Sequence, residues 1–393
     1  MIKKMKYDFD RITDRRGTSS LKWDVSDNEL PMWVADMDFP TAPDIISALK
    51  DRVTHGVFGY NVLPEEWAPS IVRWWKDRHS FEMEADRLCF CTGVVPAISC
   101  LVKRYTNHGD RVVVMTPAYD IFYHSIENAG RQVYESPLGY DGKKYEIDFA
   151  DLEEKLSHPQ STLLILCNPH NPTGNIWTAE QLAAVGEMCS NNGVTVISDE
   201  IHCDLTDPGY GYTPFASVSD TCANISVTCI SASKAFNIAG LQSAAVYSRN
   251  KKLFEIAVRG LNSDELAEPN TFAAIATATA FGKCGDWLDE LRGYLTENKR
   301  YAEEYIRCYI PEVHCVMSHA TYLLWLDVTK ITEDSDELAS YIRNATGLYL
   351  SSGGQYRGNG KSFLRMNVAC PRSVLERGLE LLRRGIGSYG DAL

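Results

Sequence analysis

The feature that most constrains the fold is an alternation of short apolar runs and helix-like stretches between residues 90 and 250. One such stretch, 178–191, opens with Thr178 and Gln181 at capping-box spacing and is followed by Gly193, a residue typical of helix ends. Strands separated by such helices indicate βαβ units and a mostly parallel sheet covered by helices on both faces. The apolar runs that we interpret as strands are 112–115, 163–166, 194–197, 226–230 and 244–247.

The last third of the chain has a different pattern, in which a long charged helical stretch, 286–310, ends at Pro311. We interpret this part as a smaller α+β domain, onto which the irregular first 40 or so residues pack. The predicted fold class is therefore α/β, with a large domain (45–285) and a small domain (1–44 and 286–393). The elements predicted after Pro311 are a strand (322–328), a helix (336–344), a strand (363–368) and a helix (372–385).

Composition narrows the possible partners and the cellular compartment. Lys plus Arg total 39 and Asp plus Glu total 52, and the net charge of −13 disfavours nucleic acid and anionic membranes. The chain lacks an apolar run of ~18 residues, and its basic start has no apolar core like that of a secretory signal. The 12 cysteines lack zinc-site spacing, so we expect reduced thiols, no metal and a cytoplasmic protein.

Two charged residues follow predicted strands at the edge where α/β sheets bind ligands. Lys234 lies in Ser231-Ala232-Ser233-Lys234, and burial there would depress its pKa enough for its amine to form an imine. The hydroxyls of Ser231 and Ser233 could bind a phosphate, although a lysine after a strand is often only exposed to solvent. Asp199 ends another strand, where a buried carboxylate needs a cationic or donor partner. The alternative for Asp199 is a helix cap.

Two further strand ends carry polar or aromatic groups. The segment 168–174 contains two Asn-Pro steps and a glycine, so it predicts a tight turn in which an X-Pro bond is a candidate for the cis form. This turn would aim the amide of Asn171 at a ligand hydroxyl. After the strand at 112–115, Tyr119 could stack on a flat ligand.

Two motifs are candidates for binding anions. Gly93, Val94 and Val95 open a predicted helix (96–105), and backbone N–H groups at such a position bind phosphate. The spacing is not that of a nucleotide-binding loop. Arg365 lies alone in an apolar strand and needs an anion, either a substrate carboxylate held by two hydrogen bonds or a structural salt bridge.

Together these motifs resemble the fold-type I, class I and II aminotransferases, which use pyridoxal 5′-phosphate (PLP), over nearly the whole chain. The resemblance rests on Asn171-Pro172-Thr173-Gly174, Asp199, Ser231-x-x-Lys234 and Arg365. It implies that the enzyme is a homodimer whose active site lies between the subunits, with Tyr60 reaching the neighbour's phosphate. It also implies that Lys234 holds PLP covalently, that Asp199 pairs with the pyridine nitrogen and that Asn171 contacts the ring hydroxyl. Tyr119 would stack on the ring, and Arg365 would bind the substrate carboxylate. The residues implied in phosphate binding are Gly93, Val94, Val95, Ser231 and Ser233.

The branch can be narrowed to the MalY/PatB type, whose members are cystathionine β-lyases and related cysteine C–S lyases. His202 stands near the ring where many aminotransferases have Tyr, and Gln242 stands where many have a phosphate-binding Arg. Trp33 and Ala35 come from the first matching segment and join Asn171, Tyr60 and Arg365 on the substrate side. The segments similar to this branch are 33–39, 168–172, 199–202, 233–240 and 365–367.

The resemblance implies α,β-elimination from an S-substituted cysteine, which yields pyruvate, ammonia and a thiol. Lys234 would remove the Cα proton as general base while Asp199 keeps the ring protonated. One alternative is an amino-acid aminotransferase, which uses the same residues. An alternative of another class is a regulatory binding protein that retains a PLP site, although the intact set of Lys234, Asp199 and Arg365 argues against a loss of catalysis.

Overall fold

The computed structural model describes residues 6–392, so the basic residues 1–5 lie outside the part described. The strands are β1 (Leu30–Pro31), β2 (Leu88–Cys91), β3 (Arg111–Thr116), β4 (Gln132–Pro137), β5 (Gly139–Tyr140), β6 (Tyr145–Glu146), β7 (Ser161–Cys167), β8 (Thr195–Asp199), β9 (Ser226–Ile230), β10 (Ala244–Tyr247), β11 (His314–Cys315), β12 (Leu323–Asp327), β13 (Leu348–Tyr349), β14 (Ser351–Ser352) and β15 (Phe363–Asn367). The helices are α1 (Pro43–His55), α2 (Trp67–His79), α3 (Val94–Tyr105), α4 (Asp120–Glu127), α5 (Phe149–Leu156), α6 (Ala179–Asn191), α7 (Asp220–Ile225), α8 (Lys251–Ser263), α9 (Ala273–Lys283), α10 (Gly285–Tyr309), α11 (Ser335–Thr346) and α12 (Arg372–Ala392).

A seven-stranded sheet in the order β2-β10-β9-β8-β7-β3-β4 forms the centre of the larger part. The run from β9 to β4 is parallel, and β10 is antiparallel to both of its neighbours. The five strands predicted between residues 90 and 250 all lie in this sheet. Helix α6 also begins with the predicted capping box, in which Thr178 and Gln181 each bond the other's backbone N–H.

Helices cover the sheet on both faces, as the apolar runs predict. Along β3, Val112 and Val114 belong to one buried cluster, which also contains residues of α3, α4 and α8. The alternate residues Val113 and Met115 belong to another cluster, with residues of α5 and α6. Since successive side chains of a strand point to opposite faces, each face of β3 has its own helical layer.

A second, antiparallel sheet has the order β11-β12-β15-β14 and packs with α10, α11 and α12. It corresponds to the predicted α+β part, although α12 continues well beyond the predicted end at residue 385. We propose that the division at 44/45 and 285/286 separates two domains. The start of α10 at Gly285 supports the second boundary.

The segment before α1 contacts both parts of the molecule rather than the small one alone. β1 pairs with β13 in parallel, and the Asn367 amide donates to the carbonyls of Val34 and Asp36, each at 2.6 Å. On the other side, the Asn237 amide donates to the carbonyl of Met37 at 2.9 Å. Asn237 and Asn367 therefore fix the segment between the two sheets. Among residues 6–392, no helix is long and apolar enough to cross a membrane.

Candidate active site

Five strands bring their following residues to one edge of the central sheet. β9, β8, β7 and β3 are parallel, and β2 is antiparallel to β10 and so runs with them. Since the carboxyl ends of parallel strands meet at the same edge, the predicted motifs converge there. They surround a cavity of about 270 Å³. The predicted site residues in its wall are Ala35, Gly93, Val94, Val95, Tyr119, Asn171, Asp199, His202, Ser233 and Lys234.

Lys234 reaches from the end of β9 into this cavity. Its Nζ donates a 2.6 Å hydrogen bond to the carbonyl oxygen of Ala35. Burial and, to a smaller extent, the nearby Arg365 guanidinium together lower the Lys234 pKa to about 8. The charges of Asp36 and Asp199 oppose this shift. An appreciable fraction of the amine is therefore neutral, and nucleophilic, near neutral pH.

Asp199 lies at the end of β8 with only 4% of its surface exposed. Its Oδ1 accepts the backbone N–H of Ile201 at 3.1 Å, so the carboxylate does cap the turn that follows. Burial raises the Asp199 pKa to about 7, although the Ile201 N–H and the Lys234 charge oppose this shift. One hydrogen bond leaves most of the acceptor capacity of this carboxylate unused, so a cationic donor in the cavity would stabilise its charged form.

Arg365 lies beside the cavity wall and touches two of the predicted residues. Its guanidinium donates to Asn171 Oδ1 at 3.2 Å and to the Trp33 carbonyl at 2.9 Å. Arg365 is 5% exposed, its Nε has no hydrogen-bond partner, and no carboxylate within the described chain forms a salt bridge with it. Asn171 precedes Pro172, and this peptide bond is cis, as is Asn168-Pro169. The buried guanidinium is thus available for a carboxylate that the chain itself does not supply.

His202 and Tyr119 provide two uncharged polar groups in the wall. Burial lowers the His202 pKa to about 3, with smaller contributions from Lys234 and Arg365, so the imidazole is neutral. Its Nδ1 has no hydrogen-bond partner within residues 6–392. Tyr119 precedes α4, and burial, followed by the Asp120 charge, raises its pKa to about 12. Both side chains therefore enter the site as neutral hydrogen-bonding groups.

The predicted phosphate site is only partly formed as expected. Helix α3 begins at Val94, two residues before its predicted start, and Gly93 at its N-cap provides no side-chain cap for the first N–H groups. Ser233 lies in the wall, but Ser231 does not, since its hydroxyl donates to the Ser243 carbonyl at 2.6 Å and accepts from the Ser233 N–H at 3.0 Å. The two serines are therefore not equivalent, and only Ser233 contributes to the cavity wall.

Tyr60 was predicted as a site residue but does not line the cavity of its own chain, whereas Tyr322 was not predicted and contacts the site. Tyr60 is fully exposed and lies outside the cavity wall, as expected of a residue that serves a neighbouring subunit. Tyr322 was not predicted, yet its hydroxyl donates at 3.0 Å to the Ala35 carbonyl that also accepts from Lys234. The two partners are 287 residues apart, so no local pattern reveals this contact.

Comparison with known proteins agrees with the motifs. The family described as aminotransferase class I and II matches residues 29–382. The chain is 41% identical to cystathionine beta-lyase PatB of Bacillus subtilis, over 96% of this chain and 99% of that protein. It is 34% identical to Protein MalY of Escherichia coli, over 95% of this chain and 97% of that protein.

A solved structure is similar along the same length. The PLP-bound C-S lyase from Staphylococcus hominis is 32% identical and superposes with a TM-score of 0.91, over 97% of this chain and 99% of that chain. The predicted fold class and branch are thereby confirmed. With nine-tenths of its length matched, the chain belongs to the class I and II aminotransferase family.

Proposed function

We propose that this chain is a PLP-dependent lyase that cleaves the C–S bond of S-substituted cysteines. The overall reaction converts the substrate and one water into a thiol, pyruvate and ammonium. The observation that carries the proposal is the convergence of the Lys234 amine, the Asp199 carboxylate and the buried Arg365 guanidinium around one cavity. The cystathionine β-lyases and the C-S lyase to which the chain is similar support this reaction class.

The donor set of the cavity fits PLP on four counts. The Asp199 carboxylate has unused acceptor capacity for a protonated ring nitrogen, and the neutral His202 has an unpartnered Nδ1. The uncapped start of α3 offers N–H groups to a phosphate, helped by the helix dipole. The Lys234 pKa of about 8 suits covalent attachment of an aldehyde. When bound, PLP supplies an electron sink for the pair left on Cα after its proton is removed.

Each side chain then has a defined task in the elimination. Arg365 holds the substrate α-carboxylate through two parallel hydrogen bonds, and Asn171, which already accepts from this guanidinium, fixes its orientation. The Lys234 amine would remove the Cα proton as general base. The Asp199 carboxylate would pair with the ring nitrogen and so keep a proton on that atom.

We also propose that the enzyme works as a homodimer in which Tyr60 completes the partner's phosphate site. The supporting observation is an exposed apolar segment around Tyr60, which contains large side chains that a monomer would leave in water. These are Val57 (62% exposed), Phe58 (56%), Tyr60 (109%) and Val62 (87%).

We further propose that the protein works in the cytoplasm, a reducing compartment. The free state of the 12 cysteines supports this proposal.

The test is an assay for pyruvate release from L-cystathionine, L-cystine and simple S-alkyl cysteines, with no 2-oxo acid added. We expect one pyruvate for each sulfur product, a thiol from L-cystathionine and S-alkyl cysteines and a persulfide from L-cystine, and no activity from Lys234→Ala. Turnover that requires a 2-oxo acid acceptor would assign the chain to the aminotransferases instead. If neither reaction occurs while PLP remains bound, the regulatory alternative gains support.

A further inference from the structure

A second polar cavity, of about 280 Å³, lies behind the turn that carries Asp199 and His202. Its wall includes His79, the last residue of α2, together with Cys203 and Asp204 from that turn. One ligand atom from each of these three side chains lies within 4.8 Å of the other two. We propose that His79, Cys203 and Asp204 bind a divalent transition-metal ion of the zinc class, outside the active site.

The chemistry of the three donors selects the type of ion. A thiolate, an imidazole and a carboxylate are ligands of Zn²⁺ and similar borderline-soft ions, whereas Mg²⁺ and Ca²⁺ require oxygen ligands. Tetrahedral coordination at about 2.0–2.3 Å needs donor atoms about 3.3–3.8 Å apart, so the donor separations must shorten by at most about 1.5 Å. Three protein ligands leave a fourth position for a water molecule.

The state of Asp204 points independently to a ligand. This side chain is only 5% exposed, and its Oδ2 has no hydrogen-bond partner within residues 6–392. Its Oδ1 accepts from the Trp74 indole N–H at 2.9 Å and lies 3.0 Å from His79 Nε2. An unpartnered oxygen on a buried carboxylate is costly, and an ion bound to Oδ2 would satisfy it while the Trp74 bond fixes the carboxylate.

Charge balance allows the ion to enter in spite of two arginines in the same wall. Arg78 is held by Asp289 at 2.7 Å, and Arg292 donates to the Thr206 carbonyl at 2.8 Å. Two anionic ligands and one neutral imidazole offset the double charge of the ion, so the occupied site is neutral overall. Zn²⁺ binds a cysteine as its thiolate, so ligation of Cys203 would release the thiol proton to solvent.

The bound ion would join the end of α2 to the turn behind the active site. His202 lies in the wall of the first cavity, while its neighbour Cys203 lies in the wall of the second. Ligation of Cys203 would therefore restrain the backbone that presents His202 to the cofactor. This inference concerns a separate site and does not depend on which reaction the enzyme catalyses.

The experiment uses untagged, chelator-treated holoenzyme without substrate, because a thiol product would compete for the metal. Zn²⁺ is measured by equilibrium dialysis, and Co²⁺ is followed by its tetrahedral d–d absorption, at longer wavelength than the cofactor band. We expect one ion per chain, and release of the Cys203 thiol proton on Zn²⁺ binding. Failure to retain any ion, or a Co²⁺ spectrum without tetrahedral bands, would overturn the proposal.

Variants assign the ion to this cluster. Cys203→Ala and His79→Gln should each weaken binding by more than ~100-fold, since even outer-shell partners of a metal are worth 10–100-fold. Cys308→Ser removes the one cysteine classed as exposed and should leave binding unchanged, which controls for adventitious capture. The decisive variant is His79→Gln, provided that it shows native circular dichroism and bound PLP. If it binds the ion as tightly as the wild type does, the assignment is wrong, even if Cys203→Ala fails to fold.

Discussion

Lys234 and Asp199 bear charges that their buried positions disfavour, and each stabilises the charge of the other. Burial moves the two pKa values towards one another, to about 8 for Lys234 and about 7 for Asp199. The identity of both residues could be predicted from the strand ends that they follow, because the motif and the edge of the sheet coincide. Two contacts of Lys234 could not be predicted in this way, because Ala35, which accepts its hydrogen bond, and Arg365, which lowers its pKa, are distant in sequence.

The Asp199→Asn variant tests the role of charge at the end of β8. An amide keeps the shape and can still accept the Ile201 N–H, but it cannot stabilise a ring cation. A close ion pair is worth ~4 kcal/mol at an effective dielectric of about 20, before desolvation. We expect kcat to fall by a factor of at least ~100, with the visible cofactor band still present. Turnover near the wild-type rate would mean that Asp199 only caps its turn.

The Lys234 pKa predicts how cofactor attachment depends on pH. An ammonium cannot attack an aldehyde, so attachment to cofactor-free protein should accelerate as pH rises and the amine becomes neutral. The midpoint is expected at about 8 rather than at the ordinary value of 10.5, as followed by stopped-flow absorbance. Arg365→Leu should move the midpoint upward, because it removes a positive charge that disfavours the ammonium. A wild-type rate that still increases towards pH 10.5 would contradict this account.

At the scale of elements, the position of the site follows from strand direction. The strands that bear Asp199 and Lys234 were predictable because they are short runs rich in apolar residues that end at a serine. By contrast, α9 was not predicted from the sequence. Its sequence, AAIATATAFGK, is apolar on nearly every side and lacks the periodicity of an amphipathic helix. The placement of the 33–39 segment between the two sheets also required the structure, because it depends on Asn237 and Asn367.

Asn367→Leu tests whether that segment is fixed by the β15 side chain. The substitution keeps the number and branching of the side-chain heavy atoms but removes the donor to the carbonyls of Val34 and Asp36. Leaving one buried backbone group without a partner costs about 1–3 kcal/mol, so the free energy of unfolding should fall by at least that amount in urea denaturation. Asn344→Leu, on the exposed side of α11, is the matched control and should change it by less than about 0.5 kcal/mol. Equal stability of the two variants would count against this role.

At the scale of the whole molecule, the site is assembled from parts that are distant in the chain. Lys234 and Asp199 come from the central sheet, Arg365 comes from the smaller sheet, and the segment around Ala35 lies between them. Tyr60 is exposed and lies outside the cavity wall of its own chain. In the dimer that we propose, this residue would complete the phosphate site of the partner subunit.

Complementation between two inactive variants tests that dimer. Tyr60→Phe impairs the site of the neighbouring subunit, whereas Lys234→Ala impairs the site of its own subunit. Co-expression should therefore restore activity, because each mixed dimer has one site that carries neither change. The control is each variant expressed alone, with mixed dimers isolated by two affinity tags. If isolated mixed dimers stay inactive although each parent is impaired, Tyr60 acts within its own chain.

The central claim is that Lys234 holds the cofactor, and reduction with borohydride tests it most directly. The reagent converts a carbon–nitrogen double bond into a stable single bond, so it fixes the cofactor on whichever lysine carries it. Peptide mapping by mass spectrometry should place one PLP-derived adduct per chain on Lys234, with none on this peptide in Lys234→Ala. An adduct on a different lysine in the wild-type protein, or a yellow protein that yields no adduct, would contradict the account.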